Sequence, residues 1–193
     1  MRQKIWIVGL CLLLGACFMG RSQPATFYML TPVSEKQLST ESFSIGINRV
    51  HLARYLDRPQ IVIRPSDQNE MQISENHRWV EPLATLIART VTQDLKSNFP
   101  KAVVQMRTAA LNPFDYVVSL DVIQLDARFN GQADLVAGWT IRNRSGDKIA
   151  EKQTALSEPV QQSYDSLVQA QSVLISRLTN QIAQEIADIR QYR

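Results

Sequence analysis

Two periods of apolar residues alternate along this chain, and the switches between them mark its elements. Phe43, Ile45 and Ile47 alternate with Ser44, Gly46 and Asn48, the period of a half-buried strand. Val50 and Leu52 carry the apolar positions on after a register shift of the kind a bulge makes. Phe27 to Leu30 is a short β-rich run stopped by Thr31-Pro32, and Ser34 to Ser42 reads as a polar loop. Gln60 to Arg64 is a compact strand ended by Pro65, and Glu70 to Ser74 fits its hairpin partner. The period then changes. Leu83, Leu86, Ile87, Val91 and Leu95 fall on one helical face, with Pro82 in the first turn and Asn98-Phe99-Pro100 as the stop. Val103 to Met106 is a further strand.

The centre predicts a long hairpin and meander. Tyr116 to Phe129 is followed by Asn130-Gly131, a type I′ signal that asks for positive φ at both positions. The return strand puts Leu135, Ala137, Trp139 and Ile141 on one face, and Ser145-Gly146-Asp147 turns into a third strand through Leu156. The last element is one helix, about 164–191, striped by Leu167, Leu174, Leu178, Ile182, Ile186 and Ile189. It spans roughly 40 Å. The expected fold is α+β: an antiparallel sheet covered on one face by two helices. A doubly wound parallel sheet fits poorly, because residues 115–156 are joined by tight turns.

The N-terminus adds a different kind of signal. Met1-Arg2-Gln3-Lys4 is basic, Ile5 to Leu14 is apolar, and Leu14-Gly15-Ala16-Cys17 ends on small residues and a cysteine. These are the parts of a secretory signal peptide, and the last four residues resemble the lipobox of bacterial lipoproteins. The apolar run is too short to span a bilayer core, which takes about 20 residues. The resemblance implies cleavage between Ala16 and Cys17, acylation of Cys17, and anchoring by its lipid chains. It divides the chain into a signal (1–16), a lipidated tether (17–25) and one periplasmic domain (26–193). Phe18, where an Asp favours inner-membrane retention in enterobacteria, implies the outer membrane. Cys11 leaves with the signal, so no disulfide or Cys-based metal site is expected in the mature chain.

Charge changes little. Loss of Arg2 and Lys4 leaves 19 basic against 18 acidic residues, and no basic patch with interleaved aromatics supports nucleic-acid binding. His51 and His77 have no ligand or nucleophile at a useful spacing; His77 reads as lying in a polar loop, and both as surface histidines. Among Asp115, Asp121 and Asp126, the first two share a strand face about 20 Å apart, and all three read as solvated carboxylates. No catalytic residue, metal site or cofactor is expected. Two connections, Tyr55-Leu56-Asp57-Arg58-Pro59-Gln60 and Arg78-Trp79-Val80-Glu81-Pro82-Leu83, combine an aromatic, an arginine and a proline. Tyr55, Arg58, Pro59 and Trp79 are candidates for a partner-binding surface. They are equally candidates for capping the sheet and shaping turns.

Taken in order, Cys17, Phe27-Tyr28-Met29-Leu30, the two connections, the Phe129-Asn130-Gly131 hairpin with Gly138-Trp139 and the C-terminal helix resemble the PqiC family. These DUF330-like proteins are auxiliary lipoproteins of ABC-type or MCE-type lipid transport, as in paraquat-inducible systems. The resemblance covers essentially the whole mature chain. It implies a non-enzymatic role: docking an MCE-domain protein's tunnel at the outer membrane and supporting envelope integrity, with a homo-oligomeric ring as one way to grip it. The competing class is a periplasmic lipid carrier or lipid hydrolase that works without a tunnel partner.

Overall fold

The structure, a computed structural model, describes residues 23–33, 37–65, 69–107 and 114–191. Ala16, Cys17 and the signal lie outside the described residues. Among the described residues, nine strands and two helices follow in chain order: β1 (Thr26–Tyr28), β2 (Ser44–Ile47), β3 (His51–Leu52), β4 (Gln60–Ile63), β5 (Gln72–Trp79), α1 (Leu83–Asn98), β6 (Val103–Met106), β7 (Tyr116–Ala127), β8 (Gln132–Asn143), β9 (Lys148–Pro159) and α2 (Tyr164–Gln191).

The expected α+β class is what forms. β7, β8 and β9 make the antiparallel meander, with Leu120 opposite Trp139 and Trp139 opposite Lys152. The meander is one half of a mixed sheet. β2 pairs in parallel with β7 on one side and β6 on the other, and β3 continues along β7 in parallel beyond β2. The parallel pairings are long-range, so no tight turn announces them in the sequence. A second, three-stranded sheet has the order β1-β5-β4. It joins the end of β7 where the Arg64 N–H donates to the Ala127 carbonyl at 2.9 Å.

Both helices lie on one face of the large sheet. Val118, Leu120, Leu135, Ala137, Trp139 and Ile141 point into that layer, each at most 3% exposed. Leu167, Leu174, Leu178, Ile182 and Ile186 of α2 meet them at 0%. The Trp139 indole N–H donates to the Thr154 hydroxyl at 3.0 Å, which donates to Gln181 Oε1 at 2.7 Å, so the one polar atom of the ring is satisfied inside the layer. Between the helices Asp94 is fully buried, and Ser176 Oγ donates to it. The Val33 N–H is shared by Asp94 Oδ1 at 3.2 Å and Ser176 Oγ at 3.0 Å. The Thr31 N–H donates to Ser172 Oγ at 3.2 Å. These bonds strap the segment after β1 across the helix pair.

Three local expectations are corrected. β5 extends to Trp79, so His77 belongs to a strand and not to a loop; its ring stacks on Tyr164 at 3.6 Å and its Nδ1 bonds Tyr28 Oη at 2.8 Å. At the β7–β8 turn only Asn130 is left-handed (φ 51°), while Gly131 is not, so the turn is not type I′. It closes through the Gly131 N–H to the Arg128 carbonyl at 3.2 Å. Asp126 is 1% exposed and ion-paired to Arg64 at 3.1 Å, not solvated. A register shift between Val122 and Gln124 reverses the facing that simple alternation assigns beyond it.

Candidate surface site

The connection from β3 to β4 is a tight coil fixed at both ends. The Leu56 N–H donates to the Ala53 carbonyl at 2.9 Å and the Arg58 N–H to the Leu56 carbonyl at 2.8 Å. Leu56 itself is 3% exposed and anchors the coil in the core. The Trp79 N–H donates to the Pro59 carbonyl at 2.7 Å and ties this coil to the end of β5. The two proline-containing connections singled out in the sequence are therefore neighbours in space.

The four candidate residues have different fates there. Trp79 is 4% exposed and is part of the core. Tyr55 is half-buried; its hydroxyl donates to Asp126 Oδ2 at 3.2 Å, beside the Arg64 guanidinium at 3.1 Å and the Gln124 amide, 3.3 Å from Oδ1. Burial first, and then the Asp126 charge, push the Tyr55 hydroxyl up to about 12, so it stays a donor at any physiological pH. Tyr55 is thus a strut between the coil and the meander. Pro59 is exposed and Arg58 half-exposed. They line an open groove of about 380 Å³ with Phe27, Arg78, Val80 and Pro82. A second depression of about 360 Å³, reaching Thr85, Met106 and Arg107, shares Asp57 and Pro82 with it. Glu81, on the groove's rim, is held by Arg89 in an ion pair of 2.5 Å.

Among the described residues no three His, Cys, Asp or Glu side chains are grouped to hold a metal ion. His51 is exposed and lines a shallow depression of about 450 Å³ on the open face of the large sheet, with Ser119, Asp121, Gly138, Thr140 and Glu151. Ser119 and Asp121 lie two residues apart on β7, and His51 stands opposite Asp121. The Ser119 hydroxyl, however, accepts from the Asn48 amide at 2.7 Å, which is a structural use rather than that of a nucleophile bound to a base. No helix among the described residues is long and apolar enough to cross a membrane.

Sequence reasoning found the two connections but not the residues that make the groove apolar. Phe27 and Val80, which line it, are 60% and 54% exposed, and Met29, two residues on from Phe27, is 50% exposed. Phe27 and Met29 alternate with the inward Tyr28 and Leu30, a period-2 signal that was present in the Phe27–Leu30 run.

A family model described as "ABC-type transport auxiliary lipoprotein component" matches residues 28–183. No curated protein matches the chain. Among solved structures, an uncharacterized protein superposes with a TM-score of 0.71 at 21% identity, covering 85% of this chain and 99% of that one. A DUF330 protein from Xanthomonas campestris gives 0.72 at 16% identity, covering 86% of this chain and 98% of its own. At such identities these likenesses speak for the fold.

Proposed function

The chain belongs to the family of ABC-type transport auxiliary lipoproteins, and on that premise we propose that it works by contact rather than by catalysis. The family makes it a transport auxiliary. The finer reading is ours. Cys17 is the acylated first residue of the mature chain and holds the domain to the periplasmic face of the outer membrane. The domain docks the tunnel of an MCE-domain partner there, as a homo-oligomeric ring, and so supports lipid transport and envelope integrity. Repeated weak contacts around a ring add through effective concentration, and a heterologous interface on each subunit closes it.

The observation that carries this reading is the family match over 28–183. The described surface agrees with it. A lipid carrier needs an enclosed apolar cavity, whereas the space between sheet and helices is filled by side chains such as Leu174, Leu178 and Ile141, all at 0% exposure. The depressions on the described surface are open, and the Ser119 hydroxyl near His51 is held by the Asn48 amide. Arg58 and Pro59, on the rim of the groove, are the proposed contact residues of the original four. Tyr55 and Trp79 hold that rim in place.

The test is cross-linking in native membranes with Arg58→Glu as the variant. Wild type is expected to cross-link to itself and to an MCE-domain protein. Arg58→Glu is expected to lose those products while keeping its fold and its fatty-acid label. Light scattering of the solubilised lipoprotein is expected to show a multimer. A strict monomer with no cross-link to any MCE protein would overturn the docking ring and favour the carrier. Absence of a fatty-acid label on wild type, or no effect of Cys17→Ser on processing, would overturn the anchor.

A further inference from the structure

The first described segment leaves its large apolar side chains in water. Phe27, Met29 and Val33 are 60%, 50% and 47% exposed, while Tyr28 and Leu30 between them face inward. Scattered exposed apolar residues are ordinary. Three within seven residues, on a segment strapped to the helix pair through Thr31 and Val33, form a ridge with a rigid backing. Val80 extends it sideways, since its N–H donates to the Tyr28 carbonyl at 2.9 Å. Straightening the strap to hide these side chains would break the bonds to Ser172, Ser176 and Asp94.

The position of this ridge in the chain decides what covers it. Only residues 18–22 separate Cys17 from Gln23, whose side-chain carbonyl accepts from Asn76 on β5 at 3.4 Å. From Cys17 to Phe27 is ten residues, a reach of at most roughly 33–36 Å. The body is longer than that: α2 alone is 28 residues, about 42 Å. Its start stacks on His77 beside β1, and its end lies at Glu41 and Phe43. A lipid on Cys17 therefore keeps the ridge end at the bilayer and holds the Asn143–Gly146 turn and the end of α2 away from it. Resting on the anchor reading above, we propose that Phe27 and Met29, at the end of the ridge nearest the start of α2, seat in the phospholipid surface and fix the domain upright on the membrane. Charge is a minor part of this contact: Arg58, Arg78 and the Glu81-paired Arg89 stand against Asp57 and Glu81, an excess of one positive charge. The seat is apolar, and it supplies the second membrane contact that makes a lipid anchor orienting as well as tethering.

The experiment uses the lipidated protein, purified from native membranes and reconstituted into vesicles of phosphatidylethanolamine and phosphatidylglycerol. With Cys17 acylated and Cys11 removed, a single engineered thiol can be labelled with an environment-sensitive fluorophore. Met29→Cys and Phe27→Cys report the ridge, and Ser145→Cys reports the far turn. The expected result is blue-shifted emission at 27 and 29 that is quenched by brominated acyl chains and shielded from aqueous iodide, with the reverse at 145. Shielding from iodide without quenching by brominated lipid would mean that a second protein copy covers the ridge, and would overturn the seat. Equal iodide quenching at 29 and 145 in protein that floats with the vesicles would overturn the seat and leave the anchor standing. Protein that does not float at all would remove the anchor, and the seat with it.

Discussion

The two sheets obey the same alternation and use it for different ends. On the meander the inward positions are Leu120, Leu135, Trp139 and Ile141, and the outward ones are mostly polar or small, as Ser119, Asp121, Gly138, Thr140 and Gln153 are. That sheet has one apolar face, which two helices fill. On the three-stranded sheet Ile61 and Trp79 point inward, while the outward face sets exposed apolar residues, Phe27 at 60% and Ile73 at 42%, among polar ones such as Arg78 and Gln60. Even the exposed apolar residue of β7, Ile123 at 47%, stands towards the small sheet, where it lines a depression of about 280 Å³ with Tyr55 and Met71. The large sheet is finished as a scaffold. The small sheet carries surface that the isolated chain does not use. Its outward apolar residues add nothing to the fold, which is why they point to a contact.

The sharpest break of this comparison is a paired substitution. Leu178 is fully buried in α2 against the meander, so Leu178→Ala is expected to cost about 2–5 kcal/mol. Phe27→Ser, of larger side-chain volume but 60% exposed, is expected to change stability by no more than about 0.5 kcal/mol. Denaturant titration of both measures the contrast. A loss under about 0.5 kcal/mol for Leu178→Ala would place the helix stripe outside the core, and a large loss for Phe27→Ser would make the ridge structural.

The next effect lies at the joint between the regions. Asp126 is 1% exposed and takes bonds from Tyr55, Arg64 and Gln124, which belong to the coil, the end of β4 and β7. Asp126→Ala leaves the half-buried Tyr55 hydroxyl without its acceptor. The expected loss is roughly 1–3 kcal/mol. It should also speed amide exchange at Arg64 and Trp79, whose N–H groups bond the Ala127 and Pro59 carbonyls. Exchange that quickens throughout α2 instead would show that the small sheet has no independent motion.

How much of this was legible in the chain follows from the range of each interaction. The span of α2, the meander and the stop of α1 rest on local periods and turns, and the sequence reading of them matches the structure. The α1 start shifts slightly: Pro82 sits just before the helix, with φ −50° and ψ 129°. What stayed hidden is non-local. Nothing near Ile45 says that it pairs in parallel with Tyr116 and with Val104. The alternation beyond Gln124 is offset by a register shift that turns Asp126 away from the helix layer, and its burial there comes from Tyr55 and Arg64, distant in the chain. Gly46 belongs to the same class: a Cβ there would come within 2.6 Å of the Phe114 ring, a close approach that only the folded chain reveals. At the candidate surface, the pairing of the two connections through Pro59 and Trp79 joins residues far apart in the chain. Their composition drew notice, but only the fold divides Arg58 and Pro59 from the buried Trp79.

The smallest effect tests the far end of the scaffold. Asp115 caps the start of β2: Ser44 Oγ and the Ser44 N–H donate to its Oδ2 at 2.7 and 2.8 Å. The Ser44 hydroxyl bond is the largest influence on this carboxyl, and together with the Ser44 N–H and the Arg144 guanidinium it outweighs burial and holds the group below the usual carboxylate range. A group whose folded pKa is depressed binds its proton more weakly folded than unfolded. Its contribution is therefore complete above the unfolded value, near 3.9, and is lost as pH falls through the lower folded value. Ser44→Ala is expected to shrink that contribution, so wild type and variant should differ at pH 7 and converge as pH falls through the lowered folded value. Asp115 is more than a third exposed, so the gap at pH 7 is about 0.5 kcal/mol or less. Denaturation midpoints across that range measure it. Because β2 meets β7 at this end, acid is expected to loosen the Ser44 end of the scaffold. A pH-independent gap between wild type and Ser44→Ala would assign the Ser44 effect to packing and remove Asp115 from the account.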